Sequence, residues 1–325
     1  MNEAVFIRRN IEKWRKVEEM EGDDVFTTPD DMVNAYNEIT SDLAFAQTHY
    51  PDSPITTYLN DISLGLHREL YRHKHTTMQQ MLRFWTHEIP LAVYDARKAL
   101  LLSLAIFVLS TLVGVVSTIG DHEFPRLILG DYYVDMTEQN ILNGEPMAVY
   151  AQGTQFGSFL EITFNNVFVS FRAYAFGLLT SFGTGLILLF NGVMYGSFMM
   201  FFIQRGLFVV SFLAVMLHGT LELSAIIIAG GAGIMLGNGW LFPGTYSRLT
   251  SFLRAGRRSV KVLVSTIPIF IVAGFIEGFF TRFTDVGDWW RFLVILFSAA
   301  FVIFYYVILP IRRHRESTSY ENLSV

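Results

Sequence analysis

The sequence predicts an all-α fold: a polytopic membrane helix bundle of about six spans, one of them interrupted, with an N-terminal cytoplasmic helical domain. Three observations carry this. Of 325 residues, 52% are hydrophobic and only 16% are charged, against roughly 25% charged in an average soluble domain. Beyond Ala99 the apolar residues gather into runs close to the roughly 20 residues that span a hydrocarbon core. Residues 1–97 are instead polar, with apolar stripes at helical spacing.

Within 1–97, Phe6, Ile7, Ile11, Trp14 and Val17 form one stripe. Met32, Val33, Tyr36, Ile39, Leu43 and Ala46 form a second, behind the helix start Thr28-Pro29-Asp30. Pro51-Asp52-Ser53-Pro54 breaks the chain before a third stripe, Ile55, Leu59, Ile62, Leu66 and Leu70. A fourth helix, Met78 to Ile89, is expected to stop at Pro90. The absence of cysteine excludes disulfides, thiol catalysis and cysteine metal sites. A net charge of −5 gives no reason to expect nucleic acid as a partner. Met1 to Asn10 has no apolar core before a cleavage site, so the first span is expected to direct insertion.

The expected spans are 99–119, 166–190, 193–217, 218–236, 260–280 and 292–309. The third is interrupted by Gln204-Arg205-Gly206 and reads either as one helix or as two half-helices. Six crossings put Arg97 and Lys98, the cluster Arg248, Arg254, Arg257, Arg258 and Lys261, and the run Arg312, Arg313 and Arg315 on one side. By the positive-inside rule that side is the cytoplasm. This divides the chain into a cytoplasmic bundle (1–97), a membrane domain (98–311) and a cytoplasmic tail (312–325). An acidic extracytoplasmic loop (120–163) carries Asp121, Glu123, Asp131, Asp135, Glu138, Glu145 and Glu161. The expected location is the cell membrane, with both termini in the cytoplasm.

Two spans share a design. Ala225, Ala229, Gly233 and Gly237 follow Glu222, and Gly177, Ser181 and Gly185 follow Asn166. Small residues four apart share a helix face and let helices approach closely, which also suggests a homodimer. Glu161, Asn165, Asn166, Arg172, His218, Glu222, Glu277 and Arg282 would then lie at similar depth, towards the outside. Ionisable groups in a bilayer are costly and need partners. The bland reading is mutual pairing that holds the helices together, at about 1 kcal/mol or less per hydrogen bond. A substrate or ion passage is a second reading, and a His218/Glu222 acid–base pair in an intramembrane hydrolase is a third.

As metal ligands His218 and Glu222 are weak candidates, with Glu277 as a third. The His-Glu-x-x-His signature is absent, so neither a metal nor any other cofactor is expected. No serine stands in a nucleophile motif, so catalysis is not the leading expectation. Arg72-His73-Lys74-His75 reads as a solvated helix end, and Trp289-Trp290 as part of an interfacial belt.

Certain blocks carry a family resemblance. They are Asn165-Asn166, Phe190-Asn191-Gly192, His218-Gly219-x-x-Glu222-Leu223-x-Ala225, and Ala229-Gly230-x-Ala232-Gly233. Together they resemble the stage II sporulation protein M family. Trp14, the Tyr36 helix and Leu59 to Tyr71 are similar to its longer, non-sporulation branch. The resemblance implies an integral membrane protein acting as a non-enzymatic scaffold between cytoplasmic and envelope partners. It also implies a MoxR-type ATPase system among those partners. The alternatives are a transporter or channel-like protein using the buried polar residues, and an intramembrane hydrolase.

Overall fold

The computed structural model describes residues 2–20, 29–70, 78–148, 155–280 and 288–323. These residues are predominantly helical, joined by short turns, with no strand among them. The chain folds as two compact units, Met1–Met78 and Gln79–Val325.

The first unit contains α1 (Glu3–Met20), α2 (Pro29–His49) and α3 (Pro54–Leu70). Phe6, Trp14, Val17, Ile39, Leu43, Ala46, Ile55, Leu59, Ile62 and Leu66 form its core. Trp14 is fully buried, and its indole N–H donates to Asp42 Oδ2 at 2.8 Å, so the polar edge of the ring keeps a partner. Lys13 pairs with the same carboxylate at 2.5 Å.

In the second unit α4 runs from Met78 to Gly120. Sequence reading ended a helix at Pro90, but the chain continues through it. A π-helical turn, Phe84–Glu88, leads into a regular helical stretch that begins at Ile89, and Pro90 sits in its first turn, where its missing N–H is tolerated. Two short helices, α5 (Phe124–Leu129) and α6 (Asp131–Leu142), come next. Then come α7 (Gln155–Phe176), α8 (Ser181–Gln204), α9 (Phe208–Leu241), α10 (Arg248–Phe280) and α11 (Trp289–Thr318). Helices α4, α8, α9, α10 and α11 are long and apolar enough to cross a membrane. Helix α7, shorter and more polar, packs against α9 and α10.

The long helices alternate between two ends. At one end Lys261 meets Glu88 at 2.6 Å, Arg258 meets Asp95 at 3.1 Å, and the His314 ring stacks on Tyr94 at 3.8 Å. The three basic groups therefore share that end. The other end carries α5 and α6, where Arg126 contacts Asp135 at 2.5 Å and Glu138 at 3.3 Å.

The helix boundaries differ from those expected. The span drawn at 166–190 is broken at residues 177–180, between α7 and α8. Phe190-Asn191-Gly192 lies inside α8 and ends no helix. The interruption at Gln204-Arg205-Gly206 is a tight turn between two full helices, with Gly206 at φ +74°. Arg205 thus lies at a bundle end, where Nη2 reaches Glu138 Oε1 at 2.5 Å and the guanidinium covers the Phe201 ring at 3.6 Å.

The small residues set how closely these helices pack. A Cβ added to Gly177 would fall on the Gly233 carbonyl, and one added to Gly237 on the Ser181 backbone nitrogen. Ala225 and Ala229 are fully buried. Gly185 belongs elsewhere: it faces only Ile106, in ordinary contact. Hydroxyls reinforce the seam. Ser181 donates to Asn238 Oδ1 at 2.7 Å, Thr184 to the Ala173 carbonyl at 2.8 Å, and Ser103 to the Ile227 carbonyl at 2.7 Å.

Candidate functional site

Helix α9 places His218 and Glu222 one turn apart on one face. His218 lies ten residues beyond Phe208, roughly 15 Å along the helix. That is deep in the bundle, whereas the sequence reading began a span at His218. Opposite them, α10 closes with a π-helical turn, Ile276–Phe280, that brings Glu277 inward. Such turns re-aim side chains and recur at functional sites. Asn166 approaches from α7.

The geometry is compact. His218 Nε2 lies 3.6 Å from Glu277 Oε2, with 5% and 12% of the two side chains exposed. Asn166 Nδ2 donates to Glu222 Oε1 at 2.6 Å. One ligand atom from each of His218, Glu222 and Glu277 lies within 4.8 Å of the other two. Four polar side chains from three helices therefore meet in the interior of an apolar bundle.

They also border open space. A cavity of about 800 Å³ is lined by these four residues and by Asn191, Met194, Tyr195 and Val215, among others. Ile128, Leu129 and Tyr133, from α5 and α6, line it as well, together with exposed Glu161 and Asn165 of α7. Its volume is that of a small-molecule site. Burial pushes the Tyr133 phenol above its ordinary value, so this ring faces the cavity as a neutral hydroxyl.

The structure thus gathers Asn166, His218, Glu222 and Glu277, and sets Glu161 and Asn165 on the same cavity. It does not bring in Arg172, which is exposed and lies beside the Phe168 ring at 5.8 Å. Tyr174, two residues on, already bonds Ser259 near the basic end. Arg282 and the segment Arg72-His73-Lys74-His75 lie outside the described residues. Sequence reasoning missed Asn191, Met194, Tyr195 and Tyr133. Asn191 and Tyr195 stand four apart on α8, so a helix through 181–204 would have placed them on one face.

A family model described as SpoIIM, Stage II sporulation protein M, matches residues 103–282, more than half of the chain. A second, described as a domain of unknown function (DUF8413), matches residues 4–72. Comparison with curated proteins and with solved structures gives no match.

Proposed function

The chain belongs to the stage II sporulation protein M family as an integral membrane protein, and from that premise we propose that its membrane domain is channel- or transporter-like. In this reading a small polar or charged solute enters from the non-cytoplasmic side and is held by Asn166, His218, Glu222 and Glu277. The observation that carries it is the cavity of about 800 Å³ bordered by those side chains. Polar groups that only glue helices together have no need of such a space, because their bonds close on one another. Here a costly set of ionisable groups, His218 buried and Glu222 and Glu277 half-buried, borders a volume fit for a ligand. The basic end faces the cytoplasm in this reading, as the positive-inside rule requires, and α5 and α6 cap the outer mouth.

The chain contains no cysteine, so a single introduced thiol reports accessibility directly. Val215 lines the cavity and Leu188 is fully buried in the core. A membrane-impermeant thiol reagent applied to the outside of intact cells is expected to modify Val215→Cys and spare Leu188→Cys. Failure to modify Val215→Cys would remove the passage reading.

A scaffold that links a cytoplasmic partner, such as a MoxR-type ATPase system, to envelope proteins is the second reading. What favours it is the N-terminal unit, which has its own core and a separate family match. In this reading residues 1–97 are the cytoplasmic docking part. The small-residue seams expected to join two copies are instead filled within one chain, Gly177 against Gly233 and Gly237 against Ser181, so a homodimer would need another face. Extraction of the full chain in mild detergent is expected to bring the ATPase with it. Extraction alone, with only solute flux altered by deletion, would discard the scaffold.

A further inference from the structure

We propose that His218, Glu222 and Glu277 bind a first-row divalent transition-metal ion at the base of the chamber. The proposal rests on the solute-chamber reading above and gives that chamber its ligand.

Geometry comes first. Two ligands of one tetrahedral ion, each at about 2.1 Å, stand about 3.4 Å apart. His218 Nε2 and Glu277 Oε2 already stand 3.6 Å apart. The Glu222 carboxylate completes a triangle whose ligand atoms all lie within 4.8 Å of one another, so modest side-chain rotation closes the set. The ligands also come from firm supports: two from one face of α9, and the third from the π-helical turn of α10.

Charge is the second argument. Two carboxylates lie together in the interior of an apolar bundle. Among the described residues no arginine or lysine forms an ion pair with either. Buried charges are paired or coordinate metals. A dication beside a neutral imidazole balances two carboxylates. The rival arrangement, protons retained on the carboxylates, needs no ion.

The donor set narrows the ion. One imidazole nitrogen and two carboxylate oxygens suit zinc, manganese, iron(II) or cobalt(II), and a chain without cysteine offers no thiolate for soft ions. Asn166, bonded to Glu222 Oε1 at 2.6 Å, orients that carboxylate as outer partners of metal ligands do. Three protein ligands beside a cavity leave a coordination position for water or solute, the pattern of open sites.

The test uses the full-length chain in lipid nanodiscs, stripped with a chelator and titrated with Co²⁺, then Zn²⁺. One Co²⁺ per chain is expected, with visible ligand-field bands of mixed nitrogen and oxygen coordination that Zn²⁺ abolishes. Glu222→Gln and Glu277→Gln are expected to lose the bands, and Asn166→Ala to weaken binding roughly 10- to 100-fold. Wild-type protein that takes up neither ion overturns the proposal, as do both glutamine variants binding like wild type. The wild-type spectrum decides even where a variant misfolds. Cobalt binding without modification of Val215→Cys from outside would keep the metal and discard the passage. Modification without metal binding would do the reverse.

Discussion

The two halves of α9 meet their neighbours in opposite ways. From Ala225 to Gly237 the helix offers alanine and glycine, and the facing chains come so close that Gly233 meets Ala173 and Thr184, and Gly237 meets Ser181. From Val215 to Glu222 it offers a histidine and a carboxylate, and the facing chains stand off around a cavity. One helix is thus sealed at one end and held open at the other. The difference lies in side-chain size and polarity. Small residues turn van der Waals contact between backbones into the adhesive force. Bulkier polar groups hold the helices apart and draw partners or ligands into the gap.

The sharpest way to break the comparison is to put bulk into the sealed half. Gly233→Leu drives a side chain into the Ala173 carbonyl and Thr184, and overpacking of this kind costs about 1–3 kcal/mol or more. The expected result is a large fall in melting temperature and poor recovery from detergent. Gly219→Ala, in the open half, meets only Val215 Cγ1 at 3.5 Å and is expected to leave melting unchanged. Equal sensitivity at both positions would mean that the two halves pack alike.

Glu222→Gln tests the open half on its own terms. If the polar residues exist to hold helices together, the variant melts much earlier than wild type. If they serve a ligand, glutamine keeps an oxygen to accept from Asn166 and removes a half-buried carboxylate that no described arginine or lysine pairs with, so folding changes little, while solute or metal binding disappears. We expect the second outcome, read as an unchanged thermal melt together with lost cobalt absorption.

What the sequence revealed follows the same division. The seam was legible, because glycine and alanine at four-residue spacing have one helical meaning; Gly177, Gly233 and Gly237 could be named in advance. Asn166, His218, Glu222 and Glu277 were legible as polar residues in apolar runs. The turns were legible only in part. Residues 177–180 include Leu178 and Leu179 and no proline, so that break merges into an apolar run. The break at 205–207 stands out as the polar interruption Gln204-Arg205-Gly206, but reads as one span or two half-helices and not as a turn between two full helices. Missing the first break moved Asn191 from mid-helix to a helix end and hid the face it shares with Tyr195. The cavity was illegible for a further reason. A void is what several helices leave unfilled, and no local spacing records it. Arg172 was grouped with the cluster by depth alone, and its side chain faces away.

The cap over the mouth should yield more readily than the seam beneath it. Arg205 ties the α8–α9 turn to Glu138 of α6, and Arg126 reaches the same carboxylate. Both partners of the Arg205 pair are about a third exposed, so the pair contributes about 1 kcal/mol or less. Arg205→Ala is expected to speed hydrogen exchange across Asp131–Leu142 without altering the global melt. Unchanged exchange would show that Val134, packed on Phe201 and Phe202, holds the cap by itself.

The smallest expected effect is at Ser103. Its hydroxyl donates to the Ile227 carbonyl at 2.7 Å, and it lies against Gly230 in the sealed half. Hydrogen bonds between membrane helices average about 0.6 kcal/mol. Ile227 lies within a helix, so its carbonyl also accepts an N–H bond along α9 when the hydroxyl is gone. Ser103→Ala therefore removes one modest bond and, with the hydroxyl oxygen, the Ser103 atom that lies against Gly230, without adding bulk to the seam, and its melt should shift only slightly. A shift as large as that of Gly233→Leu would mean that hydrogen bonding, and not close backbone approach, seals this half of the helix.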